Sequence, residues 1–274
     1  MGAGHRMARG IKYTRVQVLA KGGIARITLG IQPDGRKVAV RELLPRHVLR
    51  PRIHWGFVRG TRIREQLSPH PQMTCSFETG HAGIIPYEVI EYVPGENLRE
   101  RIIHRDECIR AQPLEILRQA ALAIAHVHAQ QFLHLDIKAE NYLVDTTDGQ
   151  LRVKLTDFDL SRRYGVRSDP YRSGTASYMS PEQLTAGQIG FESDIFAFGV
   201  MAYYLVTGKR PFSGFTIEEL RRRQVSHSFE IIEPRRLNPD LMPKLNHIIL
   251  ACLKKDPAKR FPNMAYLCQE LGAS

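Results

Sequence analysis

The sequence predicts an α+β fold in two parts, a small antiparallel sheet followed by a larger, mostly helical region. Two patterns and one bulk property predict it. Short β-branched segments with turn signals between them crowd residues 11–92. Apolar residues at helical spacing take over after that point. The chain has 274 residues, 43% of them hydrophobic, with no internal repeat and no low-complexity linker, which suits one two-lobed unit with a sizeable core.

In order, residues 1–10 read as a basic tail. Residues 16–19, 25–29 and 36–40 read as strands, and Pro33-Asp34-Gly35 is a tight-turn signal between the last two. A helical stretch at 54–67 interrupts the strands, and 85–92 reads as the last strand running into a hinge. Residues 113–130 and 193–207 then carry strong helical patterns. The longest apolar run, 195–206, is too short to span a bilayer and suits a buried core helix. The division expected is a first lobe at 11–92 and a second at 93–274.

Composition excludes several classes. The start, MGAGHRMARG, has no apolar core and so is no secretory signal. Gly2 suggests myristoylation, but position 6 is Arg6 rather than Ser or Thr. Cys75, Cys108, Cys252 and Cys268 show no paired spacing and read as reduced thiols of a cytoplasmic protein. The net charge is +11, with arginines clustered at 46, 50 and 52, at 59, 62 and 64, and at 221–223. A basic surface can attract acidic substrates, nucleic acid or an anionic membrane; it reads first as a solvated basic face, and no zinc finger or aromatic-basic alternation supports nucleic-acid binding. His126 and His128 lack a third metal ligand nearby, so packing explains them better.

The chemistry lies in two strings. Residues 134–141 read His-Leu-Asp-Ile-Lys-Ala-Glu-Asn, and 157–159 read Asp-Phe-Asp. A carboxylate that orients a hydroxyl, followed by oxygen ligands for magnesium, is what phosphoryl transfer needs. Asp136 can supply the first; Asn141 and Asp157 can supply the second.

These strings resemble the HRDxKxxN and DFG loops of eukaryotic-type (Hanks-type) Ser/Thr protein kinases. Further segments follow in that family's order: 174–182 (GTASYMSPE), Asp194 in 193–200, 207–212 (TGKRPF) and Arg260 in 256–261. Over roughly 200 residues such an ordered set leaves little room for chance. The resemblance implies a two-lobed kinase fold, ATP and Mg2+ as cofactors, and a protein substrate or partner, in a bacterial-like chain. It implies Asp136 and Lys138 as catalytic residues, and Asn141 and Asp157 as metal ligands. Leu19, Lys21, Gly22, Gly23, Ile27, Ala39, Arg41, Glu91, Val93 and Leu143 fall at nucleotide-binding positions, with Leu143 below the adenine, Ala39 above it and Ile90 as gatekeeper. Thr175 would tie its segment to Asp136 and Lys138, and Glu182 would pair with Arg260. Ser161, Ser168, Tyr171 and Ser173 are candidate phosphoacceptors.

The nucleotide half departs from the pattern. The phosphate loop reads Ala20-Lys21-Gly22-Gly23-Ile24-Ala25 and keeps only the middle glycine, with Gly23 beside it. Glycine there permits close backbone approach and positive φ. Arg41 stands where the family has lysine, and a forked guanidinium is no conservative exchange for an ammonium. Gly60 falls where that lysine's helical glutamate partner is expected. Leu135 replaces the catalytic-loop arginine, removing the usual anchor for an activating phosphate. Asp159 replaces the DFG glycine, where it can stiffen the loop or add a carboxylate near magnesium. Lys21 is either a relocated phosphate ligand or a solvated lysine. Two readings follow: a Ser/Thr protein kinase with weak or unconventional transfer, or a pseudokinase that binds nucleotide or partners, the arginines at 59, 62 and 64 forming its partner surface. If the site is merely detuned, Arg41→Lys should raise activity.

Overall fold

The computed structural model describes residues 11–165, 175–185 and 187–273. The chain forms two compact units, one comprising the residues up to Pro94 plus Asp157–Asp159, the other Gly95–Thr156 with Leu160 onward.

The first unit is built on an antiparallel sheet of β1 (Thr14–Lys21), β2 (Ala25–Ile31), β3 (Lys37–Leu43), β4 (Ser76–Ala82) and β5 (Ile85–Glu91), in the order β1-β2-β3-β5-β4. The Pro33-Asp34-Gly35 turn closes the β2–β3 hairpin, with Gly35 at φ +86°. β3 is central and almost wholly buried, so its side chains face packing on both sides. Val38 and Val40 pack with Tyr87 and Val89 in one cluster, while Leu43 joins Ala25 and Phe57 in another. Phe57 comes from helix α1 (Pro51–Leu67), which starts three residues earlier than its periodicity predicts because Pro51 opens its first turn. Strand β4 escaped the sequence reading: Ser76-Phe77-Glu78-Thr79-Gly80-His81-Ala82 is polar and glycine-bearing, and becomes a strand only by pairing with β5 at the sheet edge.

The second unit is mostly helical. α2 (Leu98–Ile103), α3 (Glu107–Ala111) and α4 (Pro113–Ala129) lead into a two-residue strand, β6 (Phe132–Leu133). The hairpin β7 (Tyr142–Asp145) and β8 (Arg152–Leu155) follows, and β9 (Arg162–Arg163) pairs with β6. Helices α5 (Pro181–Leu184), α6 (Phe191–Thr207), α7 (Ile217–Val225), α8 (Pro234–Leu237), α9 (Pro243–Cys252) and α10 (Met264–Leu271) complete it. The apolar run at 195–206 is the buried centre of α6, which ends at Gly208 in the left-handed region. No helix among the described residues is long and apolar enough to cross a membrane. The basic tail at 1–10 and the residues Ser168, Tyr171, Ser173 and Gly174 lie outside the described residues.

Candidate active site

In the second unit, β6 delivers residues 134–138 as an irregular loop that re-enters regular structure through a short 3-10 turn, Ala139–Asn141, and then β7. The loop hangs on one carboxylate. Asp194, at the start of α6, accepts from the backbone N–H of His134 through Oδ2 and from that of Leu135 through Oδ1, both at 2.8 Å. His128 Nε2 meets the same Oδ2 at 2.8 Å, which is the packing role expected of that histidine. Burial alone would raise the Asp194 carboxyl; the hydrogen bond and charge of His128 outweigh it and hold the group below its ordinary value. These bonds keep Leu135 at φ +64°, a costly conformation for a branched residue. The Leu135 side chain is buried.

The result is a presented Asp136. Lys138 Nζ donates to its Oδ2 at 2.6 Å, and Asn141 Nδ2 donates to the same oxygen at 3.0 Å and to its backbone carbonyl at 2.8 Å. Lys138 Nζ also donates to Thr175 Oγ1 at 3.2 Å, so Thr175 does join its segment to the loop. With Nδ2 turned into Asp136, the Asn141 amide oxygen accepts no hydrogen bond among the described residues. Farther on, Arg260 forks onto Glu182 at 2.8 and 2.9 Å, and Ser193 Oγ donates to Glu182 at 2.7 Å. The expected ion pair is therefore formed. Ser161 is fully buried and donates to the His134 carbonyl at 3.2 Å, which removes it from the candidate phosphoacceptors. Leu143 lies half-buried in β7.

The first unit holds the other half of the predicted residues. Ala39, Ile90 and Val93 are buried, Glu91 is half-buried, and Glu91 Oε2 accepts from the Cys75 N–H at 3.2 Å. Leu19 is exposed at a register shift in β1, opposite the stretch of β2 that holds Ile27. Lys21, Gly22 and Gly23 are exposed. Neither glycine has positive φ, contrary to one reason for expecting glycine there. The loop is a turn closed by Gly22 N–H to the Ala25 carbonyl, and Arg46 and His47 both bond the Gly23 carbonyl, at 2.8 and 2.9 Å. A methyl at position 23 would meet nothing within 4 Å. Gly23→Ala should therefore leave the melting temperature within about 1 °C, as differential scanning calorimetry would check.

Arg41 is the centre of this unit's polar interior. It stands directly across β3–β5 from Glu88, and its Nη1 donates to Glu88 Oε1 at 3.0 Å. The guanidinium also forks onto Asp159, Nη1 to Oδ1 at 3.0 Å and Nη2 to Oδ2 at 2.6 Å, and Nη2 reaches Asp157 Oδ1 at 3.4 Å. Phe57 supplies a ring face 4.6 Å from the guanidinium carbon. Burial works against the charge on Arg41, but the three carboxylates more than offset it and hold the group well above its ordinary value. Burial pushes the Asp159 carboxyl up to about 6, with Arg41 pulling it down and Asp157 and Glu88 adding to the rise. Arg64 completes the set, with Nη1 3.2 Å from Glu88 Oε1 and its guanidinium carbon 5.3 Å from the Phe158 ring centroid. Its side chain is only 1% exposed, so it leaves the basic surface to which its neighbours Arg59 and Arg62 belong.

Helix α1 makes this arrangement possible through what it lacks. Gly56 and Gly60 are four residues apart and share a helix face. A Cβ at Gly60 would fall 2.8 Å from the carbonyl carbon and oxygen of Phe158, and one at Gly56 would fall 3.3 Å from the Asp159 oxygen. The backbone of residues 158–159 therefore lies directly on the helix, held by Arg59 Nη2 donating to the Asp159 carbonyl at 3.0 Å. Gly60→Ala should cost about 1–3 kcal/mol, measured by urea denaturation, because backbone rather than a flexible side chain must give way.

Sequence reasoning missed Glu88 and Arg64 as partners in this site. Their signal was a charged residue inside an apolar strand and an arginine on the buried side of an amphipathic helix.

A two-part α+β fold carrying this loop, this carboxylate-lysine-asparagine set and this order of elements defines the protein kinase class, and the protein kinase domain family matches residues 13–271. The chain belongs to that family. Curated relatives include the serine/threonine-protein kinase PrkC of Bacillus subtilis, 30% identical over 255 residues, covering 91% of this chain and 38% of that protein. They also include the serine/threonine-protein kinase PknB of Mycolicibacterium smegmatis, 28% identical over 271 residues, covering 95% and 42%. A probable serine/threonine-protein kinase of Streptomyces coelicolor, SCO3848, is 31% identical over 262 residues, covering 92% and 38%. The chain thus spans about two fifths of the length of these relatives.

Proposed function

We propose that this chain is a Ser/Thr protein kinase domain that binds Mg-ATP and transfers its γ-phosphate to a Ser or Thr hydroxyl of a protein. The observation that carries this reading is the convergence of Lys138 and Asn141 on one oxygen of Asp136. Asp136 accepts the hydroxyl proton and aims the oxygen at phosphorus. Lys138, a few ångströms from that carboxylate, offsets the charge that builds on the transferring phosphoryl oxygens. Thr175 holds Lys138 from the other side.

Magnesium requires hard oxygen donors. The amide oxygen of Asn141 is turned away from its own Nδ2 bonds, and the Asp157 side chain is 35% exposed, so each residue offers an oxygen of the kind magnesium takes. Magnesium, when bound, neutralises phosphate charge; Asn141 and Asp157 would hold it. The nucleotide positions are Leu19, Gly22, Gly23, Ile27, Ala39, Glu91, Val93 and Leu143, with Lys21 at the exposed tip of the loop. Residues 11–92 and 93–274 act as the two lobes.

A pseudokinase reading draws on one observation. Four of the five N–H donors of Arg41 are committed to carboxylates, which leaves Nε alone for a phosphate. Charge bookkeeping favours transfer: Arg41 and Arg64 cancel Glu88 and Asp159, leaving the single negative charge of Asp157, as an ordinary lysine–glutamate pair would. The test is radiolabel transfer from Mg-ATP to the chain itself or to casein, compared with the Asp136→Asn variant.

A further inference from the structure

We propose that Asp159 is the positioning residue for Arg41, doing the work of the carboxylate that helix α1 lacks at Gly60. The three departures at 41, 60 and 159 are then one compensated change rather than three lesions. In its effect on rate the proposal rests on the kinase reading above; in its effect on nucleotide binding it does not.

Geometry links the three positions. Asp159 meets Arg41 from a backbone that lies on helix α1, and a Cβ at position 60 would clash with that backbone at 2.8 Å. A glutamate at position 60 would collide with the carbonyl of Phe158 before its carboxylate could reach any partner. The fork of Arg41 is needed in turn. It grips both oxygens of Asp159 while reaching Glu88 on β5 and Asp157 on the metal loop, a span that one ammonium cannot cover. The ion pair therefore ties β3 to the metal loop itself, and the same guanidinium that would meet phosphate through Nε is oriented by a residue two positions after the metal ligand. This geometry reverses the sequence expectation for Arg41→Lys: lysine should lower nucleotide affinity, not raise activity.

The experiment is a double-mutant cycle on the folded chain with Arg41→Lys, Asp159→Gly and the combination, plus Asp159→Asn. Binding of Mg-ATP is read by isothermal titration calorimetry, and transfer by kcat and KM. We expect Asp159→Asn and Asp159→Gly each to weaken Mg-ATP binding about tenfold or more. Arg41→Lys should weaken it similarly, and the double variant should be little worse than either single one. Because Asp159→Gly restores the residue usual in the family, its loss of affinity would not be expected of a merely decorative aspartate. Unchanged affinity in folded Asp159→Gly, even with a lowered melting temperature, overturns the proposal, as do effects at 41 and 159 that simply multiply. Coupled binding without any transfer by the wild type supports the proposal and removes the kinase reading. Intact transfer without coupling does the reverse, and a wild type that neither binds nor transfers removes both.

Discussion

Asp136→Asn is expected to lower the rate of phosphoryl transfer by roughly 10²- to 10⁴-fold, the usual contribution of a positioned general base, while Mg-ATP affinity changes by less than about threefold. The asymmetry follows from the hydrogen bonds. An asparagine oxygen still accepts from Lys138 and Asn141, so the loop keeps its shape and Asn141 keeps its orientation. What is lost is the negative charge that, in the proposed function, aligns the incoming hydroxyl and takes its proton. The loop's support is independent of position 136, since Asp194 holds the backbone through residues 134 and 135. A kcat measurement beside a calorimetric binding curve separates the two effects.

The second large effect is on stability. Glu182→Ala is expected to cost about 3–5 kcal/mol, the penalty for leaving a buried charge without its partner. Arg260 has a side chain that is 0% exposed and donates to both oxygens of Glu182. It also donates to the carbonyls of Glu192, Lys254 and Lys255, so it cannot swing out to water without breaking those bonds as well. Burial alone would raise the Glu182 carboxyl, but the hydrogen bond and charge of Arg260, with Ser193, hold it below its ordinary value. A folded value below the unfolded one makes this contribution fully present above the unfolded pKa, about 4.3. It is lost as pH falls through the lower, folded value. The gap between wild type and Glu182→Ala in chemical denaturation should therefore be full at pH 7 and narrow below about pH 4.

The catalytic-loop residues were legible through the family resemblance of the string at 134–141, and their mutual contacts are local. Asp136, Lys138 and Asn141 lie within six residues, and a short loop of that kind brings its own side chains together. Long-range pairs at Asp194 and at Glu182–Arg260 became legible through resemblance. The interior around Arg41 was not. Its partner Asp159 is 118 positions away, and each departure looked like a loss when taken alone. Gly60 read as a missing glutamate, although Gly56 four residues earlier already marked a helix face shaped for close backbone approach. Glu88 and Arg64 were hidden because a charge on a buried face is explained only by the group it meets. Gly22 and Gly23 were correctly placed at a turn between β1 and β2, but the positive φ that glycine permits is not used there.

Transfer of labelled phosphate from Mg-ATP, by the wild type and by Asp136→Asn side by side, tests the account most directly. Incorporation into the chain or into casein by the wild type, reduced at least about 10²-fold in the variant, is the predicted result. Equal incorporation by both proteins would contradict the role given to Asp136, and none by a wild type that binds Mg-ATP would contradict the assignment as a kinase.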